Sequence, residues 1–454
     1  MGSTIDFYIK LKLYSNMTEK YYIIGAGVAG ITAAEQIRRM APDAQIIVVN
    51  GESYPFYRRL SLSTYLQGQT SLEALIVKQP QDYEAMNIQV IQDRAIAVEP
   101  PTQTLTLAEG GKQQYDGLII ATGGSAIKPP IPGIELEGVN LGYWDIAHTL
   151  WYENNAKVFS GRRAVVIGGG VLGLELADCL NHAGMNVSIV QLGQTLGEPL
   201  TDQAAGKILY DRVLASGVEV HLGVSATEIL GQEGKVQAVR LSDGQELAAD
   251  LVGVCIGIRP NLSWLAGSGI EVEQGAIAVD QFMQTNLPRV YAAGDCTLVR
   301  KGNKVGDRPN RTWQVATSQG MVAAANLLGA NTAYQEGIFY NAGVLYDLPY
   351  TMLGKFNPDP SDPTCHTYTY DPGDDPYAYF KLTVSTQGLL VGAMLIGKQR
   401  RTNILRKIIE GNYVVTGHEQ ELMDPKFKPT GLPTADAAIA GDAEVEAKLA
   451  AYAK

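Results

Sequence analysis

At 454 residues the chain has room for about three domains of ordinary size. Its 46% hydrophobic and 18% charged residues exclude wholesale disorder, a collagen-like fibre and a coiled coil. Asp plus Glu number 47 against 36 Lys plus Arg, and the net charge of −11 argues against nucleic acid as a partner.

After a polar leader that carries no cleavable signal, Tyr21-Tyr22-Ile23-Ile24 reads as a buried strand. It runs into Gly25-Ala26-Gly27-Val28-Ala29-Gly30, then a helix over Ile31 to Met40, then the strand Ile46-Ile47-Val48-Val49. The same order returns at Ala164 to Ile167, followed by Gly168, Gly170 and Gly173 in a second glycine turn. A helix and the strand Val187 to Val190 complete this second unit. A lone G-x-G-x-x-G is weak, but a strand before and a helix after each copy supply the context that makes it specific. The first glycine permits the tight turn, the second lets backbone approach a pyrophosphate, and the third lets helix and strand pack closely. The helix N-terminus then offers free N–H groups and the positive end of a dipole. Two such sites in one chain imply two dinucleotides and an electron passed between them.

Three further strands end in small residues: Tyr115 to Ala121 before Thr122-Gly123, Leu251 to Ile256 before Gly257, and Val290 to Ala293 before Gly294-Asp295. Small residues there let a flat cofactor lie against backbone. The Asp295 carboxylate can accept hydrogen bonds from sugar or ribityl hydroxyls, each worth roughly 1.5–3 kcal/mol when the acceptor is charged. From about Tyr334 the texture turns to Tyr, Pro and Asp, then to strands near 378–382 and 389–396 and a helix over 403–410. That stretch reads as an α+β domain without a glycine fingerprint, and the Ala-rich stretch from Ala435 reads as an exposed helix or tail. Cys179, Cys255, Cys296 and Cys365 lie far apart, so neither a metal knuckle nor a local redox disulfide is expected.

Together these motifs resemble the two-dinucleotide flavoproteins of the glutathione-reductase superfamily, over roughly Tyr21 to Pro425. The resemblance implies an α/β chain of two Rossmann-like domains followed by a C-terminal α+β interface domain. An FAD domain over residues 20–150 and 280–330 would be interrupted by an NAD(P)H domain over 151–279. The interface domain would cover 333–430 and a tail 431–454, and a homodimer is compatible with it. Tyr57-Arg58-Arg59-Leu60-Ser61-Leu62-Ser63 is similar to a segment of the ferredoxin- and rubredoxin-reductase branch, shared by the flavoprotein part of nitrite reductase. Trp313 to Gly320 resembles that branch's helix beside the flavin, and in part the quinone-site helix of single-subunit NADH:quinone reductases.

By this resemblance FAD is held by Gly25, Gly27, Gly30, Arg59, Ala95, Thr122, Gly123, Gly294, Asp295 and Gln314. Glu52, with Asn50 as the alternative, stands where an acid would hold the adenosine ribose. NAD(P)H falls to Gly168, Gly170, Gly173, Gln191 and Gly257. Gln191 neither repels nor attracts a 2′-phosphate, which leaves NADH and NADPH open. Glu175 resembles the family glutamate that approaches the nicotinamide, and is the catalytic candidate. The chain departs from the superfamily in having no close Cys pair, and from the branch in having Thr64 where Lys is frequent. No side chain need act as acid or base in the reductive half.

The expected activity is an FAD-dependent NAD(P)H oxidoreductase that is cytoplasmic and has no transmembrane segment. Its acceptor is expected to be a small acidic iron–sulfur protein of ferredoxin or rubredoxin type. Two basic clusters, Arg300-Lys301-Lys304-Arg308-Arg311 and Lys398-Arg400-Arg401-Arg406-Lys407, are candidates for steering it, with ordinary solvated loops as the plain alternative. A quinone is the alternative acceptor. A slowly turning flavoprotein with a binding role, resembling apoptosis-inducing factor, is the rival of another class.

Overall fold

The computed structural model describes residues 18–158, 160–301, 304–305, 310–370, 373, 375–397, 401–424 and 431–435. The leader up to 17, nearly all of the C-terminal tail, and Arg308, Lys398 and Arg400 of the basic clusters lie outside them. In chain order the elements that matter begin with β1 (Lys20–Ile24), α1 (Val28–Met40), β2 (Gln45–Asn50), β3 (Ile88–Gln92) and β4 (Gly117–Ile120). The second glycine turn lies between β5 (Arg163–Ile167) and α2 (Val171–His182), followed by β6 (Asn186–Gln191), β7 (Glu219–Leu222) and β8 (Leu251–Val254). Then come β9 (Val290–Ala292), α3 (Trp313–Leu327) and α4 (Thr402–Glu410).

Backbone contacts divide the chain into two units. One takes the residues up to Ile127, Trp144–Ile146 and Gly257–Gly337; the other takes Lys128–Tyr143, Ala147–Ile256 and everything from Ile338. The sequence reading places the crossings near 150 and 280, but short strand pairings move them. Val139–Asn140 adds to β8 in the second unit, whereas Ile258–Arg259 pairs with Ser125–Ala126 in the first.

In the first unit the sheet order is β9-β4-β1-β2-β3, parallel throughout. Parallel strands buried on both faces read as unbroken apolar runs, which is why Tyr21 to Ile24 and Leu118 to Ile120 contain no polar residue. From β1 the chain builds outward through β2 and β3, then returns to place β4 on the opposite side. The switch point therefore lies between β1 and β4, where open α/β sheets bind ligands. Helix α3 packs on α1 through Gly320, where a Cβ would come within 2.3 Å of the Ala29 carbonyl oxygen.

The second unit repeats the scheme, with order β7-β6-β5-β8 and Val139–Asn140 beyond β8. The same unit holds the five-stranded antiparallel sheet of the C-terminal region, ordered Tyr340–Leu345, Leu348–Gly354, Leu390–Ile396, Tyr379–Ser385 and Cys365–Tyr370. Its core joins Leu353, Leu382 and Leu395 to Leu405, Ile408 and Ile409 of α4. Asp202 fastens the sheet to the helix Gln203–Ala215. It caps that helix through Ala205 N at 2.9 Å, accepts from Tyr379 at 2.8 Å and pairs with the buried Lys381.

Gly320→Ala is expected to cost about 1–3 kcal/mol by overpacking α3 against α1. Gly337→Ala, with open space around the position, should stay within about 0.5 kcal/mol of the parent. Urea midpoints at unchanged slope measure both.

Candidate functional site

The two glycine turns are built alike, one in each unit. In the first, Gly25 has φ +113° and a Cβ there would sit 2.2 Å from the Ala121 carbonyl oxygen, so only glycine can make the turn beside the end of β4. Gly30 is closed to any side chain because its Cβ would lie 1.9 Å from the Gly25 carbonyl oxygen. Gly27 has ordinary extended backbone and nothing within 4 Å of an added Cβ. The first and third glycines are therefore required by packing, and the second faces open space at the N-terminus of α1. Open space beside the N-terminus of a helix is the arrangement that suits a phosphate.

The second turn matches it position for position. Gly168 has φ +109° and a Cβ there would sit 2.3 Å from the Cys255 carbonyl oxygen, while a Cβ at Gly173 would lie 1.8 Å from the Gly168 carbonyl oxygen. A Cβ added at Gly170 would meet only the Glu198 carbonyl oxygen, at an ordinary 3.5 Å. The side chain of Gln191, at the end of β6, accepts from Gly169 N at 2.8 Å.

Around the first turn, Thr122 and Gly123 follow β4 and Gly294-Asp295 follow β9. The Asp295 carboxylate receives no hydrogen bond from the described residues. Burial raises its pKa above the usual carboxylate range, against the pull of Arg311 and Arg59. An unpartnered carboxylate at a strand end is the acceptor a polyhydroxyl ligand needs. Gln319 holds this corner, accepting from Gly294 N at 2.8 Å and Thr297 Oγ1 at 3.0 Å. The sequence reading chose Gln314, which lies exposed in the first turn of α3.

Arg59 is fixed by Glu52 at 2.6 Å, by the Trp144 carbonyl, and by the rings of Tyr57 and Trp144. Trp144 in turn donates its indole N–H to the Gly124 carbonyl at 2.6 Å. Trp144 was missed because it lies in no recognisable motif; Gln319 lies inside the Trp313 to Gly320 segment, where the sequence reading picked Gln314, and only the fold shows which side chain reaches Gly294. Both ribose candidates have partners within their own loop. Glu52 accepts from Arg59 and, at 2.7 Å, from Tyr57, while Asn50 donates to the Tyr54 carbonyl and accepts from Glu52 N. Ala95 opens the strand Ala95–Glu99 in a separate three-stranded sheet. Gly257 groups with the first unit, its carbonyl accepting from Ile127 N at 3.0 Å.

The basic clusters look different once folded. Arg300 is neutralised by Glu271 and Glu273, and Arg311 donates to the Asp295 carbonyl at 3.2 Å. Arg401 is buried and donates to the carbonyls of Leu422 and Asp424. Arg406 pairs with Glu410. Arg300, Arg401 and Arg406 are thus committed to partners within the chain, which weakens the charge argument for steering at those positions.

Glu175 projects from α2 and accepts from the Tyr143 hydroxyl. Burial raises its pKa to about 7, the Tyr143 bond opposes the shift, and Asp178 adds to it. All four cysteines are buried and unbridged. Burial pushes the Cys255 thiol up to about 12 and the Cys296 thiol up to about 11.

A family profile described as pyridine nucleotide-disulphide oxidoreductase matches residues 19–320. The chain belongs to that family. It is thus an oxidoreductase with sites for FAD and NAD(P)H. It is 33% identical over 391 residues to a Bacillus subtilis nitrite reductase [NAD(P)H], covering 86% of this chain and 47% of that protein. It is 31% identical to a rubredoxin-NAD(+) reductase from Pseudomonas putida, over 68% of this chain and 80% of that one. A ferredoxin reductase structure from Rhodopseudomonas palustris superposes with a TM-score of 0.75 at 26% identity, covering 84% of this chain and 91% of that one. The chain spans about half the length of the first curated relatives it matches. Among the described residues no helix is long and apolar enough to cross a membrane.

Because the folded chain holds the Glu175 proton up to about pH 7 and the unfolded chain releases it near 4.5, this group favours the fold at low pH. Its contribution is lost as pH rises through that window. Glu175→Gln should flatten stability between pH 5 and 8 relative to the parent, read by urea unfolding. Tyr143→Phe, which removes a donor to the ionised form, should move the pH at which that contribution is lost upward.

Proposed function

We propose that the chain oxidises NAD(P)H through FAD and delivers the electrons to a small iron–sulfur protein. The observation that carries this reading is the pair of equivalent phosphate cradles without a bridged or motif-paired thiol. Bound FAD would accept hydride from the reduced nicotinamide and pass electrons onward. The Gly27 turn would hold the FAD pyrophosphate on the amides of α1, with Asp295 receiving ribityl hydroxyls and Arg59 supplying positive charge near them. The Gly170 turn would hold the pyrophosphate of NAD(P)H on α2, and Glu175 would serve as the carboxyl group on the nicotinamide side.

The fit rests on this chain's own features. An added Cβ would meet nothing within 4 Å at Gly27 and only one carbonyl oxygen, at van der Waals distance, at Gly170, and Asp295 is a shielded carboxylate. Cys255 and Cys296, whose thiols burial holds up, offer no ready thiolate to form a disulfide relay. An iron–sulfur acceptor draws its support from the relatives named for rubredoxin and ferredoxin. Recognition would then rest on shape and hydrogen bonding rather than on Arg300.

Gly170→Val should retain FAD and lose reduction by NADH or NADPH, while dithionite still reduces the flavin. Loss of FAD from this variant would show that the two sites are assigned in the wrong order. The acceptor reading is tested by anaerobic titration followed by mixing with a rubredoxin and a ferredoxin. Reduction should be complete at two electrons per FAD, and at least one of these proteins should be reduced far faster than a ubiquinone analogue. A four-electron end point, or quinone reduction in preference to both proteins, would refute it.

A further inference from the structure

The end of β6 bears on which nicotinamide nucleotide the second site takes, an inference that rests on reading that site as the NAD(P)H site. In a βαβ dinucleotide site an acid at the end of the second strand bonds the ribose 2′-hydroxyl, and a cation there accommodates a 2′-phosphate. Gln191 is neither, and its carbonyl oxygen is occupied by Gly169 N. The chain beyond it folds back on the turn, with Gly197 N donating to the Gly169 carbonyl at 2.7 Å.

This return brings in a carboxylate. Glu198 Oε1 accepts from Thr195 N at 3.2 Å and from Thr195 Oγ1 at 3.1 Å. Its other oxygen is pressed against Gly193, where an added Cβ would meet Glu198 Oε2 at 1.7 Å and Gln191 Nε2 at 2.8 Å. A negative charge therefore stands two residues past the strand end, delivered by the loop instead of the strand. From 186 to 224 the chain has only Lys207, Arg212 and His221 as possible cations. Lys207 pairs with Asp211 at 2.7 Å, Arg212 donates to the Tyr346 carbonyl at 2.9 Å and to Asp347, and His221 lies 3.9 Å from Glu219.

We propose that Glu198 makes the site selective for NADH, its carboxylate accepting the ribose 2′-hydroxyl and repelling a 2′-phosphate. Gly193 is the position that lets the carboxylate reach the strand end.

Calorimetric titration of the FAD-loaded protein with ADP-ribose and with 2′-phospho-ADP-ribose tests this without turnover. The wild type should bind ADP-ribose at least about tenfold more tightly. Glu198→Gln should weaken ADP-ribose a few-fold and strengthen the phosphorylated probe, collapsing the ratio by about tenfold. A purely structural role for Glu198 would weaken both probes alike, and that result would overturn the assignment. Equal binding of the two probes by the wild type would overturn it without any variant. Binding of neither probe would overturn the nicotinamide-site reading itself.

Discussion

Everything in both dinucleotide units depends on one close approach, that of a helix to the strand that precedes it. Gly30 on Gly25 and Gly173 on Gly168 bring backbone atoms so near that a single methyl would force the helix away. This proximity aims the first free amides of α1 and α2 at the crevice between neighbouring strands. Displacing either helix by the breadth of a side chain would leave the amides beyond hydrogen-bond reach of a phosphate. The strand ends fix the other wall, since Ala121 and Cys255 present carbonyls to the first glycine of each turn. Each turn is therefore over-determined from two sides, while its middle glycine is pressed by neither.

The same construction explains where charge sits. An anion-binding turn gains from positive dipole ends, yet both units place carboxylates close by. Asp295 and Glu175 are each raised above the usual range mainly by burial, and each is opposed by a donor or a cation that holds the shift in check. A carboxyl kept in a shielded site answers to small changes around it, as a solvated one does not. Glu52 is the contrast: Arg59 and Tyr57 fill its acceptor positions, and the trio stiffens the loop that carries Arg59.

Much of this was legible in the sequence, because the requirements are local. A strand, three spaced glycines and a helix form one continuous segment, and their spacing alone fixes what each glycine must do. The small residues after β4 and β9 were readable for the same reason. What was hidden depends on distant segments meeting. Gln319 differs from Gln314 by more than one helical turn, and only the packing of α3 on α1 decides which one reaches Gly294. Trp144 enters the first unit from the middle of a segment that otherwise belongs to the second. The role of the basic clusters was not legible because a run of Arg and Lys says nothing about carboxylates elsewhere in the chain. Arg300 finds its partners 27 and 29 residues away.

The cysteines complete the argument about electron flow. Members of this family that work through a disulfide need two sulfurs within bonding reach and at least one able to ionise. Here Cys255 lies at the end of β8 and presents its carbonyl to Gly168, so its place is set by the turn and its thiol is incidental. Cys296 fills a buried position after Asp295, with its sulfur near the carbonyls of Ile120 and Ala293. Both are small apolar fillers at points where the sheet ends crowd together, and burial holds both in the thiol form. With Cys255 and Cys296 committed to packing, neither is placed to act as one half of a redox disulfide.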